Sequence, residues 1–394
     1  MTYKIKVIAM SHLFIHLYGR DEMAISDGVT LIVGLLAVLI GLLMFWSLPV
    51  PKSFKGGHTS LPLVSIIIPA RNEAGRIQPL LRSLQQQNFQ SFELLVVDDH
   101  SSDQTVDIAT AYGAKVISNR TELAGAGKSM ACWQGAQQAT GQWLLFLDAD
   151  TYFSGDDGLE KLLLLYQQKG AKGILSLQPF HTVNRLYENL SAVFNIVVIV
   201  GMNLFSVGKR RFKTAGSFGP CILCDRDDYF STGGHEKIQS AIMDDLALGQ
   251  AFLDNNLPVH CLGGKGTISF RMYPEGFRSM VEGWCKSFAI GSQSTHPIIL
   301  LMVIIWISGS FISVGELISS LLAGDAVRIL LTASLYALYA LQTGWFARRC
   351  GNFKWPIFIF FPILFLFFAS VFLYSLFRVH ILRSVKWKDR NIEV

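Results

Sequence analysis

Four stretches of the chain are apolar and free of charge, and they lie towards its two ends. Residues 28–50 read GVTLIVGLLAVLIGLLMFWSLPV, and 297–315, 329–347 and 355–377 follow near the other end. At 1.5 Å per helical residue each approaches or reaches the thickness of a hydrocarbon core of about 30 Å. The pattern therefore predicts four membrane-spanning helices. The first is too long and starts too late for a secretory signal, so it is expected as a retained anchor. A fifth apolar run, 189–208 (NLSAVFNIVVIVGMNLFSVG), has the length of a span. Crossing there would put the two halves of the intervening domain on opposite sides of a bilayer. It is expected instead as a helix in the membrane surface, or as a lining for an apolar substrate.

Between these ends the pattern changes. VSIII, from Val64, is a continuous β-branched run that suits a strand buried on both faces of a parallel sheet. Ile77, Leu80, Leu81 and Leu84 then recur at helical spacing. Strand FELLVVDD, helix DQTVDIATAYG, strand AKVISN, helix GKSMACWQGAQQA and strand QWLLFLDAD continue the alternation. This order predicts an α/β domain of Rossmann-like form, a mostly parallel sheet with helices on both faces. The expected division is an extension at 1–27, a span at 28–50, the α/β domain at 51–296, three transmembrane or membrane-embedded helices at 297–378 and a basic tail at 379–394.

Composition agrees: 51% of residues are hydrophobic, 16% are charged, and the mean hydropathy is +0.38. The net charge of +5 does not indicate nucleic acid. Its basic residues crowd at membrane margins: Lys52, Lys55, Arg348, Arg349, Arg378, Arg383, Lys386, Lys388 and Arg390. Membrane lipids are the expected partners. Of six cysteines only Cys221 and Cys224 form a CxxC, and one such pair reads as small buried thiols, not zinc ligands.

In open parallel sheets ligands bind beyond the carboxyl ends of the strands. Here those ends carry Pro69, Ala70, Arg71, Asn72 and Glu73, then Asp98 and Asp99, then Asp148 and Asp150. Two aspartates one residue apart repel unless a cation lies between them. Asp150 suits direct binding of Mg²⁺ or Mn²⁺, and Asp148 a ribose or the metal. Asp98 and Asp99 can accept hydrogen bonds from a nucleobase, with Asn72 or Glu73 on the same nucleotide. Lys128 offers a point charge for a diphosphate. ELAGAGKS ending at Ser129 imitates a P-loop but has Glu122 where the first glycine belongs, so that reading fails. His235 stands before an acidic pair and is a candidate phosphate or acceptor contact, as are Trp284 and Arg271. Arg278, Lys286 and Glu316 read as solvated, lipid-facing or helix-end charges.

VSIIIPARNE, VVDDHSSDQT, GKSMA and FLDADT resemble the GT-A fold of family 2 glycosyltransferases over roughly 63–250. LSLQPFH, FNIVVIVGMNLFS, FGPCIL, YFSTGGH, FRMYPEGFRSMVEGW and VKWKDR extend the similarity over nearly the whole chain. They resemble the members of that family that glycosylate a C30 carotenoid acid, 4,4'-diaponeurosporenoate. The resemblance implies inverting, metal-dependent transfer of glucose from UDP-glucose to the carotenoid carboxylate, giving a glycosyl ester. It implies that Asp99, with Asp98, contacts uracil, that Asp148 contacts the ribose or metal, that Asp150 ligates the metal and that Lys128 lies near the diphosphate. Asp244 and Asp245 in AIMDDLALG match the acidic pair holding the acceptor's base, with Asp245 at the usual position of the base. The QxxRW motif of processive polysaccharide synthases is absent, where EGWCKSFAIG stands, which implies a single transfer.

UDP-sugars are cytosolic, so this reading places a multi-pass protein in the cell membrane with the 51–296 domain facing the cytoplasm. Four full crossings then put the basic tail outside, against the positive-inside rule. One of the four segments is expected to be re-entrant or interfacial. The alternatives are a UDP-sugar transferase acting on polyprenyl phosphate or another lipid, and a transporter or scaffold without catalysis. Neighbouring enzymes of the same pathway are admitted as partners.

Overall fold

The structure is a computed structural model and describes residues 28–52, 60–119, 127–209, 211–241, 243–291, 294–380, 384–387 and 390–393. The expected extension at 1–27 lies outside the described residues.

The α/β domain is built on a seven-stranded sheet. Its strands are β1 (Val64–Ala70), β2 (Phe92–Asp98), β3 (Lys115–Ser118), β4 (Trp143–Leu147), β6 (Ile174–Gln178), β8 (Cys221–Asp225) and β9 (Val259–Gly263), in spatial order β3-β2-β1-β4-β8-β6-β9. All neighbours run parallel except at β8, which is antiparallel to both β4 and β6. The buried β-branched and leucine runs of β1 and β4 occupy the middle, where both faces are covered. A second sheet, β5 (Thr151–Phe153), β10 (Ile268–Phe270) and β7 (Phe180–His181), begins directly after Asp150. Cys221 and Cys224, three residues apart on one strand, fall in the cores on opposite faces of the sheet. All six cysteines are buried free thiols.

One apolar core, below Ile67, Val97 and Phe146, continues without a break into the membrane helices through Phe194, Trp284 and Trp306. Three helices are long and apolar enough to cross a membrane: Pro297–Ala323, Ala326–Cys350 and Trp355–Val379. The expected span at 28–50 is helical only over Gly28–Met44. Beyond it the backbone turns to the domain: the N–H groups of Trp46 and Ser47 donate to the Phe205 carbonyl (2.9 and 3.1 Å), and that of Gly263 donates to the Pro49 carbonyl (2.8 Å). The Gly28–Met44 helix meets the long helices through small residues. A Cβ on Gly41 would lie 2.6 Å from the Trp306 ring, and one on Gly34 2.6 Å from Leu335. Gln342 bridges the three, donating to the Val38 carbonyl (2.7 Å) and accepting from Trp306 Nε1 (2.8 Å).

The apolar run at 189–208 is mostly buried, with Val207 exposed near its end. It forms the helix Ala192–Gly201, entered by a 3₁₀ turn at Leu186–Ser191, and buries Phe194, Ile196, Ile199 and Val200. Phe194 packs on Trp284, Phe288, Phe367 and Phe368, so the helix is a wedge between the sheet and the membrane helices.

Candidate active site

The loops that follow β1 and β2 are welded together. Asn72, at a positive φ of 52°, gives its backbone N–H to Ser101 Oγ (3.0 Å), and its Oδ1 accepts from the Ser102 N–H (2.8 Å). The Glu73 N–H donates to Thr105 Oγ1 (2.8 Å) and the Ala74 N–H to Asp103 Oδ2 (3.0 Å). Asp98 accepts from the Ser101 N–H (3.2 Å), closing its own turn. Asp99 is held apart from it: its N–H donates to the Ala70 carbonyl (2.8 Å), Asn119 Nδ2 donates to its Oδ1 (2.9 Å), and Arg71 pairs with its Oδ2 at 3.4 Å. Ala70 thus stands opposite Asp98 in the sheet and anchors the Asp99 backbone.

Two strands along, β4 ends in a tight turn. The N–H and Oγ1 of Thr151 both donate to the Asp148 carbonyl (3.1 and 2.7 Å), while the Asp148 N–H donates to the Pro220 carbonyl (3.0 Å). Lys128, one residue into the Gly127–Gln138 helix, reaches across to put Nζ 2.7 Å from Asp148 Oδ1. Asp244 and Asp245 open the Asp244–Asp254 helix, where its positive end favours carboxylates. The chain must pass close behind them. A Cβ on Gly219 would lie 2.8 Å from Asp245 Oδ2, and Ser217 Oγ donates to the Asp245 carbonyl (2.7 Å). Pro69, Lys128, Asp148, His235, Asp244 and Asp245 consequently line one pocket, together with Cys132, Phe146 and Gly219.

The electrostatics of this pocket are acidic around one cation. Desolvation in the cleft opposes the charge of Lys128, yet Asp148, Asp244 and Asp245 outweigh it and hold the ammonium well above its ordinary pKa. Desolvation, then the neighbouring Asp244, pushes Asp245 up to about 6. Asp150, desolvated and beside Asp148, is pushed up to about 7 despite the nearby Arg76. Burial takes His235 down to about 4, so it is neutral; it shares a hydrogen bond through Nδ1 with Tyr229 Oη (2.9 Å) and sets its ring against Phe146 at 4.9 Å.

Asp148 and Asp150 fit a hard divalent cation by their chemistry: two neighbouring carboxylates, of which Asp150 is pushed towards its neutral form by desolvation and by the charge of Asp148. Among the described residues no group of three or more His, Cys, Asp or Glu could hold a metal. A Mg²⁺ or Mn²⁺ here would therefore take the rest of its oxygen ligands from water and a substrate diphosphate, as these ions commonly do.

Trp284 and Arg271 stand away from this pocket. Trp284 is buried, donating from Nε1 to Ser191 Oγ (3.1 Å) and stacking on Phe194 at 4.9 Å. Arg271 gives its backbone N–H to the Asp150 carbonyl (3.3 Å), but its guanidinium clamps the buried Glu188 at 2.7 Å. Arg76 was not anticipated. It pairs with Glu275 and lies near Glu73 (3.8 Å) and Asp150, which raise its pKa although burial opposes them. Its one sequence signal was the three-residue spacing from Glu73. Tyr273 also neighbours Asp150.

The family model for glycosyl transferase family 2 matches residues 65–229. The 4,4'-diaponeurosporenoate glycosyltransferase of Staphylococcus aureus (strain USA300) is 38% identical over 345 residues, covering 87% of this chain and 91% of that protein. The protein of the same name from strain MRSA252 is 38% identical over 346 residues, with the same shares covered. Among solved structures, the mannosyltransferase PcManGT from Pyrobaculum calidifontis, in complex with GDP-Man and Mn²⁺, superposes with a TM-score of 0.54 at 16% identity, covering 89% of this chain and 99% of that one.

Proposed function

The chain belongs to glycosyl transferase family 2, with the GT-A fold, and on that premise we propose that this glycosyltransferase moves one glucosyl unit from UDP-glucose to the carboxylate of a C30 carotenoid acid. The observation that carries the reading is the convergence of Lys128, Asp148, Asp244 and Asp245 on one pocket. Asp98 and Asp99 stand two strand spacings away, about 10 Å along the sheet. That separation suits a donor whose base rests at β2 and whose diphosphate reaches β4. The 38% identical staphylococcal relatives, covered over 91% of their length, supply the acceptor in this proposal.

The chemistry is a displacement with inversion. A carboxylate oxygen of the acceptor forms a bond to the sugar's anomeric carbon as the bond from that carbon to the diphosphate oxygen breaks, and UDP leaves with the electron pair. Lys128 turns from Asp148 towards the diphosphate and stabilises the charge that develops there. Asp99, with Asp98, accepts from the base. Asp150 and Asp148 would hold Mg²⁺ or Mn²⁺, which would supply Lewis-acid neutralisation of diphosphate charge. Asp245, with Asp244, positions the acceptor; a carboxylic acid is already ionised near neutral pH and has little proton to give. In this proposal the protein is a multi-pass membrane protein whose α/β domain faces the cytoplasm, where nucleotide sugars are made; three helices long and apolar enough to cross a membrane support the membrane part.

The test is turnover of the purified full chain with UDP-glucose, a divalent cation and the C30 acid, read by mass spectrometry. A product heavier by one hexose, labile to mild alkali as an ester is, supports the reading. Transfer only to polyprenyl phosphate, or no transfer to either, overturns it.

A further inference from the structure

The last apolar segment does not follow the path that its length suggests. Trp355–Val379 has 25 residues, enough to cross a bilayer. It starts on the side of the catalytic domain: Gly351 bridges to His181, the Asn352 N–H donates to the His181 carbonyl (3.0 Å), and the Lys354 N–H donates to Asn189 Oδ1 (3.1 Å). A 3₁₀ turn, Trp355–Phe360, then runs back along the preceding helix. Trp355 and Phe358 lie against Gly344, and Tyr336 Oη donates to the Ile359 carbonyl (2.6 Å). Tyr336 is about 21 Å from the end of its helix at Cys350, at 1.5 Å per residue.

From there the direction reverses. Pro362 follows Phe361 at the start of the Phe361–His380 helix, where its missing N–H costs nothing. Phe361 rests on Tyr336 (4.7 Å) and Tyr339 (5.9 Å), and Phe365 on Trp306 (4.8 Å), both levels inside the bundle. Phe368 then meets Phe194 at 5.0 Å and Phe288 at 5.4 Å, and Ser375 Oγ donates to the Cys285 carbonyl (2.5 Å). The strand Ser384–Trp387 beyond it lies beside the Phe277–Gly291 helix, which is part of the catalytic domain's own chain.

We infer that Trp355–Val379 is a re-entrant segment: it enters the bilayer from the catalytic face, turns near Phe361 and leaves by the same face. Among the described residues Gly28–Met44, Pro297–Ala323 and Ala326–Cys350 then cross, and the tail's Ser384–Trp387 strand lies on the catalytic side. The inference rests on the membrane reading above but not on the chemistry. Charge supports it independently. Lys209, Arg348, Arg349, Lys354 and Arg378 all fall on the catalytic face, whereas the far turn offers Asp325 and an Arg328–Glu316 pair at 3.1 Å. The basic tail then lies on the catalytic face, which removes the conflict with the positive-inside rule that four full crossings create. The exposed side chains at the turn, Ile359, Phe360 and Ile363, are apolar, as a limb ending in hydrocarbon requires.

Four single-cysteine additions to the full chain test it: Lys172→Cys on the catalytic domain, Ala323→Cys at the far turn, Phe360→Cys at the turn of the limb and Asn391→Cys in the tail. Each is exposed, in oriented membrane vesicles, to a membrane-impermeant maleimide that adds a mass tag, with the parent chain as background. The expected result is that Lys172→Cys and Asn391→Cys are tagged from one face, Ala323→Cys from the other, and Phe360→Cys from neither until detergent is added. Tagging of Asn391→Cys from the face of Ala323→Cys overturns the re-entrant path, as does tagging of Phe360→Cys in intact membranes. If Lys172→Cys and Ala323→Cys react from the same face, the membrane reading itself fails.

Discussion

Lys128 Nζ lies 2.7 Å from Asp148 Oδ1, the shortest bridge between the Gly127–Gln138 helix and the acidic end of β4. The same ammonium feels Asp244 and Asp245, so one lysine balances three carboxylates brought from two distant parts of the chain. Lys128→Met removes that charge while keeping most of the stem. We expect kcat/KM for the donor to fall by about 10²–10³-fold, as when a preorganised stabiliser of a leaving group is lost. Lys128→Arg, bulkier and forked, is expected to recover only part of it. Steady-state kinetics with varied UDP-glucose checks both.

Asp150 argues a metal prediction. Beside Asp148 and desolvated, it is a carboxylate short of positive charge. Chelation by EDTA should abolish transfer, and Mn²⁺ or Mg²⁺ should restore it. Binding only to the folded state stabilises by about 2.7 kcal/mol at a ligand concentration of 100 times Kd. Thermal unfolding of the detergent-solubilised chain should therefore shift upward with added Mn²⁺, and Asp150→Asn should erase both the shift and the rescue. An unchanged metal response in Asp150→Asn would falsify the assignment.

Asp245 sets a pH dependence. Its pKa is raised to about 6, so its charged form is complete above that pH and is lost as pH falls through it. If Asp245 works as a carboxylate, kcat/KM falls about tenfold per unit below pH 6 and levels off above it. Asp245→Asn removes this limb. Its cost separates base from positioning group: a base is worth about 10²–10⁴-fold, whereas for an already ionised acceptor the loss should stay below this range and appear mainly in acceptor KM.

The strand ends were legible because ligands bind beyond the carboxyl ends of parallel strands, and those strands announce themselves as unbroken apolar runs. Asp98, Asp99 and Asp148 are therefore found where alternation puts them. The acidic pair at Asp244 and Asp245 came from the resemblance alone; nothing in local pattern brings it to β4. Arg76 and Glu275 are separated by 199 residues, and no periodicity reports such a pairing. The 28–50 run illustrates a different limit. Hydropathy counts Phe45–Val50 as membrane, but the backbones of Trp46, Ser47 and Pro49 bind Phe205 and Gly263 of the domain. Length and hydropathy mark Trp355–Val379 as able to cross, but apolar content records depth and not direction.

The glycine at 309 tests how tightly the membrane bundle fixes the rest. A Cβ there would overlap Tyr339 Oη and the Ala37 Cβ, so the Gly28–Met44 helix and the two long helices meet at this point with no room to spare. Gly309→Val should force them apart, an overpacking cost of about 1–3 kcal/mol. Its thermal midpoint in detergent should drop, while Tyr339→Phe, which loses only a 3.3 Å bond to the Trp306 carbonyl, should barely move it.

Glu188 is the buried charge on which the catalytic domain's second sheet depends. Its Oε1 takes the Arg271 guanidinium at 2.7 Å, and its Oε2 accepts from the backbone N–H groups of Asn184 (2.6 Å) and Arg185 (3.1 Å). These hydrogen bonds and the Arg271 charge hold its carboxyl below the ordinary range although burial opposes them. Arg271 in turn follows β10 and carries the backbone contact to Asp150, so the pair ties the entry to the buried helix at Ala192–Gly201 to the carboxylate proposed to hold the metal. Glu188→Leu leaves the arginine and two backbone donors without their acceptor; breaking one side of such a pair costs about 3–5 kcal/mol. The double variant Glu188→Leu/Arg271→Leu removes the stranded charge and should regain part of that loss. Donor kinetics decide whether the pair also positions Asp150: recovery of stability in the double variant without recovery of metal-dependent kcat would show that the clamp holds the site as well as the fold.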